Sequence, residues 1–280
     1  MEIPEDHEAL SAATVAGTGL CTIVNIEGSF SRRLGAQLAV HGDGSVTGSL
    51  ADGCLERELA AEVLRGGEPR VIRYGAGSPK IDFRLPCGGG LDVLIDPAPD
   101  HAACVEALAK LEARHEASLT LPGQALLAER RYIPALRLVL LGEGPELEAM
   151  ARLGAAAGMA VESYSREDGS LALGQRPEHI ALDRWSALVL LFHDHEWEEA
   201  LLDWGLRSPA FFIGAQGGGP ARRARSERLA ALGYAEQQIA RVASPLGLIG
   251  HSREPSALAL SALAGVAGIY ELRHPHHSQR

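Results

Sequence analysis

The segment Leu136 to Leu141, apolar except for Arg137, runs into Gly142-Glu143-Gly144-Pro145 and then into a stretch with Leu147, Met150, Ala151 and Gly154 at helical spacing. An apolar run with almost no polar face predicts a strand covered on both sides, the habit of parallel sheets flanked by helices. Three further strand-like segments, Ala160 to Tyr164, Leu188 to Phe192 and Phe211 to Gly214, alternate with helical stretches. The pattern predicts a Rossmann-like α/β domain with a parallel sheet. Pro255 then opens an Ala/Leu-rich helix to about Leu272, proline being tolerated in a first helical turn.

The glycine turn makes Gly142 and Gly144 candidate cofactor-binding residues, but as a dinucleotide fingerprint it is incomplete. Leu147 stands at the third glycine position, where a large side chain hinders close helix–strand packing. Ser165 and Arg166 follow the next strand where a ribose-binding carboxylate is expected. An NAD(P)-dependent oxidoreductase is therefore the alternative reading. His193-Asp194-His195-Glu196 has metal-ligand side chains, yet four consecutive residues rarely surround an ion, and Asp194 reads more simply as a helix N-cap. Gly217-Gly218-Gly219 opens an arginine-rich helix, whose Arg222 to Arg228 run reads as a solvated face.

The chain before about Tyr132 follows a different pattern, which predicts two domains, 1–131 and 132–280. Leu20 to Ile26 is strand-like, and Gly42-Asp43-Gly44 joins Ala36 to His41 and Ser45 to Gly48 as a β-hairpin. A helix from about Cys54 to Leu64 ends at Gly66-Gly67. Short strands are expected at Arg70 to Tyr74, Ile81 to Arg84 and Leu91 to Ile95, followed by a helix from Ala98 to about Arg131. These elements predict an α+β domain with a mixed or antiparallel sheet.

Three loops in this first domain carry chemistry. Pro86-Cys87-Gly88-Gly89-Gly90 exposes a sulfur beside bare backbone N–H groups, although a tight turn feeding a strand would have the same composition. Gly48 to Glu56 places Cys54 where a glycine-broken loop becomes a helix, at the positive end of the helix dipole. Glu56 then serves either as a proton donor or acceptor or as an ordinary first-turn carboxylate. Gly28 to Ala36 brings Ser29, Arg32 and Arg33, able to hold a phosphate or carboxylate.

A net charge of -10 argues against a nucleic-acid or anionic-membrane surface. The polar, acidic start has no secretory pattern, and no run reaches the roughly 20 apolar residues of a membrane span, so a cytoplasmic location is expected. Four cysteines without C-x-x-C pairs form neither a disulfide framework nor a zinc site. Cys21 and Cys104 read as packing residues.

The three loops, in this order, resemble the XdhC/CoxI family of molybdenum hydroxylase maturation factors, as does Pro245-Leu246-Gly247-Leu248. The resemblance implies an accessory protein rather than a catalyst. Such a protein binds the molybdenum cofactor, assists with its terminal sulfur ligand and delivers it to an apo-hydroxylase of the xanthine or carbon monoxide dehydrogenase type. It places Cys54, Glu56 and Cys87 at the cofactor site and matches His193 to a family histidine; on their own chemistry, Ser29, Arg32, Arg33 and the N–H groups of Gly88 and Gly89 are expected near the cofactor's phosphate. A cysteine desulfurase is the further partner implied. A homodimer is expected, because a labile cargo benefits from a covered site.

Overall fold

The computed structural model describes residues 4–50, 53–78, 88–123, 126–250, 252 and 254–275. The chain divides into two compact units, one running to Pro134 and the other beginning at Ala135.

The first unit opens with helix α1 (Glu5–Ala12), then β1 (Gly19–Glu27), β2 (Gln37–Val40), β3 (Val46–Gly48), α2 (Gly53–Leu64), β4 (Arg70–Gly75), β5 (Gly90–Asp96) and α3 (His101–Glu112). The strands form one sheet in the order β3-β2-β1-β5-β4. Every pairing among them is antiparallel, so of the two sheet types the loops allowed, the antiparallel one is present. Period-two alternation sorts the side chains. Cys21, Ile23, Leu38, Val40, Val93 and Ile95 pack on one face with Leu55, Leu59 and Val63 of α2. Leu20 and Ala39 face the other way, onto Leu10 of α1 and Cys104, Ala107 and Leu111 of α3. A register shift between Ile23 and Asn25 lies just upstream of Gly28.

The expected helix from Ala98 to about Arg131 is corrected: α3 ends at Glu112, and a two-stranded antiparallel hairpin follows, β6 (Ala117–Thr120) with β7 (Glu129–Tyr132). Burial along β6 alternates strictly, Ala117 and Leu119 inward, Ser118 and Thr120 outward, and Arg114 leaves the helix with a φ of 64°. The expected strand at Ile81 to Arg84 lies outside the described residues.

In the second unit β8 (Arg137–Gly142), α4 (Gly144–Ala156), β9 (Ala160–Tyr164), β10 (Ser186–Leu191), α5 (Glu198–Arg207), β11 (Phe212–Ala215), α6 (Gly219–Ala231), α7 (Glu236–Ile239), β12 (Val242–Ala243) and α8 (Pro255–Arg273) follow in turn. The sheet order β12-β11-β10-β8-β9 is parallel throughout. The doubly wound pattern reverses between β8 and β10, the place where such sheets open a crevice. Close helix–strand packing is achieved at Gly154 rather than at the Leu147 position. A Cβ at Gly154 would already lie 3.1 Å from both Leu138 Cδ2 and Val161 Cγ2, so α4 approaches the sheet as near as a glycine permits. Helix α8 packs on α4, and by length and composition it is apolar enough to cross a membrane.

Candidate functional site

Within the first unit the Gly28–Ala36 loop touches both of its companions. At its start, Gly89 presses on the chain so closely that a Cβ there would lie 2.5 Å from the Glu27 carbonyl oxygen and 3.4 Å from that of Ser29. Only glycine allows that approach, which fixes the Gly88-Gly89 turn against Ser29. At the far end, Arg32 Nε donates to the Ser49 carbonyl oxygen at 3.1 Å and Nη2 to the Ser49 hydroxyl at 3.2 Å. The Ser49 hydroxyl in turn donates to Glu56 Oε1 at 2.9 Å, and the Leu50 amide donates to the same oxygen at 3.2 Å. Glu56 therefore acts first as a clamp, reaching back from the opening turn of α2 to hold the loop that precedes it.

Cys54 sits exposed in that same turn. One helical turn on, Arg57 Nη2 donates to the Cys54 sulfur at 3.4 Å, so a cationic donor accompanies the thiol. Cys87 lies outside the described residues. Cys21 and Cys104 are buried, and burial pushes both thiols up, that of Cys104 to about 11.

Arg33 Nη2 lies 3.2 Å from Asp6 Oδ1, which also receives Arg130 Nη2 at 2.7 Å. Arg32, Arg33 and Ser49 line an open cleft of about 320 Å³ together with Glu5, Asp6 and Glu8 of α1. Against Gly90, Arg73 pairs with Glu27 and, at 2.8 Å, with Asp92, which also accepts from Asn25. Arg57, Ser49 and the acidic turn of α1 join the candidate site through these contacts, and the sequence pattern alone did not single them out. An arginine three residues after Cys54 was the available signal for Arg57.

The second unit places Gly142, Gly144 and His193 at its switch point. Gly142 ends β8 against Leu191, and Gly144 opens α4 with a φ of 80°. Carboxylates occupy the surroundings. Arg166 Nε lies 2.5 Å from Glu143 Oε2, and His193 Nε2 lies 3.7 Å from Glu146 Oε2. Two acidic side chains suit the positive end of a helix, and they repel a pyrophosphate seeking the same place. Asp194 Oδ1 accepts from the Glu196 amide at 3.0 Å, but the element it caps is the short 3₁₀ turn His195–Trp197 that leads into α5, not α5 itself. One arginine of the Arg222 to Arg228 run is not solvated: Arg225 is 5% exposed and forms a two-pronged pair with Glu198 at 2.9 and 3.0 Å.

Among known proteins, the molybdenum cofactor insertion chaperone PaoD of Escherichia coli (strain K12) is 30% identical over 292 aligned positions, spanning 95% of this chain and 90% of that protein. The family model for XdhC and CoxI matches residues 13–75, and that for the XdhC Rossmann domain matches residues 138–266. The chain belongs to the XdhC and CoxI family. In this XdhC/CoxI protein the first match contains Ser29, Arg32, Arg33, Cys54 and Glu56, and the second contains Gly142, Gly144 and His193. A Bacillus halodurans crystal structure described as a xanthine dehydrogenase superposes with a TM-score of 0.77 at 18% identity, over 99% of this XdhC/CoxI chain and 98% of that one. At that identity the likeness speaks to the fold.

Proposed function

We propose that this protein is a maturation factor that binds the molybdenum cofactor as cargo, supports its sulfuration and delivers it to a molybdenum hydroxylase of the xanthine or carbon monoxide dehydrogenase type. The observation that carries this reading is the meeting of three loops in one unit: Gly89 against Ser29, Arg32 on Ser49, and Ser49 on Glu56 of the helical turn that also carries Cys54. The cargo carries a phosphate, a sulfur-rich metal centre and a pterin whose amino edge donates hydrogen bonds. Arg32 and Arg33 suit the phosphate, because guanidinium groups bind oxyanions in a fixed fork. Glu5 and Glu8, which line the same cleft, suit the donor edge, and the Cys54 thiol is a soft partner for the metal centre. Glu56 holds the Ser49-Leu50 segment in place for these contacts. An apo-hydroxylase and a cysteine desulfurase are the partners this role requires, and the cytoplasm is where it would be carried out.

Reconstitution tests the reading. Purified apo-hydroxylase mixed with the anaerobically loaded protein should gain activity faster and to a higher level than with an equal amount of free cofactor. Activation no better than that by free cofactor would remove the delivery role.

A further inference from the structure

Helix α8 has an outer face that its own unit leaves uncovered. No charged side chain occurs from Pro255 to Tyr270. Its inner face, Ala259, Ala262, Leu263, Val266 and Tyr270, is buried. Residues four apart on the opposite side, Leu260, Ala264, Gly268 and Leu272, are all exposed, Leu260 by 61% and Leu272 by 82%. Four-residue spacing lines them up as one ridge along the helix. The adjoining loop extends the patch: the Ile249 amide donates to Ser261 Oγ at 2.6 Å, which pins Leu248 and Ile249, 72% and 54% exposed, beside the helix. Four of the eleven exposed large apolar side chains among the described residues gather in this one place. A helix that is apolar all round belongs in an interior, and half of this one faces outward.

We propose that two copies of the chain associate through this face, their α8 helices antiparallel about a twofold axis. The ridge reads leucine, small, small, leucine, and it reads the same in reverse. An antiparallel copy therefore sets Leu260 against the partner's Leu272 and Ala264 against the partner's Gly268, so the helix backbones approach closely at the centre. A twofold interface requires such self-complementarity. Charge selects the same occupant. Each copy carries a net charge of -10, so most of its surface repels a second copy, whereas this face brings no like charges together. An anionic lipid surface would want basic residues around the helix and would meet an acidic protein instead. One helix, about 28 Å long, gives an interface at the low end of specific sizes, so association depends on concentration.

Analytical ultracentrifugation of the full chain over a hundredfold range of concentration tests this. The wild type should pass from monomer to dimer, and Leu260→Glu and Leu272→Glu should each remain monomeric with unchanged circular dichroism. In a Cys54→Ser/Cys87→Ser background, an oxidised equal mixture of Leu260→Cys and Leu272→Cys chains should give a covalent dimer joining the two variants. Any of three results would overturn the proposal: a wild type that stays monomeric, a dimer indifferent to both glutamates, or cross-links joining position 260 to itself. A monomer that binds anionic vesicles or apo-hydroxylase through the same leucines would assign the face to that occupant.

Discussion

The guanidinium of Arg32 holds Ser49 by both its carbonyl and its hydroxyl, at 3.1 and 3.2 Å, and so ties two loops that lie 17 residues apart in sequence. Arg32→Ala releases that tie and removes a cation from the cleft. Hydrogen bonds to charged groups contribute roughly 1.5–3 kcal/mol, so cargo affinity should fall by about tenfold or more. Stability should change by less than about 1 kcal/mol, since the contact is exposed. Arg32→Lys should recover little, because an ammonium cannot reproduce the two-pronged contact. Equilibrium titration of pterin fluorescence together with urea denaturation separates the two effects.

Thiol chemistry should single out Cys54 among the described cysteines. It is exposed, whereas Cys104 is buried with its thiol pushed up to about 11 and Cys21 is buried with its thiol raised further. At pH 8 only about one Cys104 in a thousand would be ionised, even before access is considered. Brief alkylation of the native protein followed by peptide mass mapping should show Cys54 modified and Cys21 and Cys104 intact. Rapid labelling of Cys104 in folded protein would contradict the packing of α3 on the sheet.

The Glu198–Arg225 pair is buried on both sides, at 3% and 5% side-chain exposure. Arg225 also donates to the Ser244 hydroxyl at 2.8 Å and the Gln216 carbonyl at 2.8 Å, linking α6 to the ends of β11 and β12. Glu198→Ala leaves a buried cation without its counter-charge and should destabilise by about 3–5 kcal/mol. Urea denaturation measures it, with a loss under 1 kcal/mol as the contrary result.

Acid stability has a local source in Asp203. Burial raises its pKa, but the hydroxyl of Tyr234 at 2.7 Å and the guanidinium of Arg207 at 2.8 Å more than offset that and hold the carboxyl below the usual carboxylate range. A depressed carboxyl stabilises the fold above its unfolded pKa near 4, and that contribution is lost as the pH falls through the folded value. Tyr234→Phe should therefore move the acid-unfolding midpoint to higher pH while changing stability at pH 7 by about 1 kcal/mol. A midpoint that stays put would assign the depression to the arginines, Arg207 and Arg176, rather than to the Tyr234 hydroxyl.

Local patterns in the sequence expose much of this architecture. The Leu138 to Leu141 run, the glycines after it and the Gly42-Asp43-Gly44 turn each act over a few residues, and each produced the element expected. Residues 113–132 misled because Ala, Leu, Glu and Arg are good helix formers, whereas the alternating burial of Ala117 and Leu119 appears only once α3 and the sheet are packed against them. Arg225 looks solvated within a run of arginines because its partner, Glu198, is on another helix 27 residues away. In the candidate site the residue types were legible in the loops. That Glu56 clamps its own loop, and that Arg57 accompanies Cys54, depends on how α2 begins.

The most direct test is the cargo itself. The full chain, purified anaerobically after incubation with molybdenum cofactor, should retain molybdenum and fluorescent pterin in near-equal amounts, and a Cys54→Ala/Cys87→Ala chain with unchanged circular dichroism should retain neither. Equal molybdenum and pterin in both chains would contradict the assignment of the site to these loops.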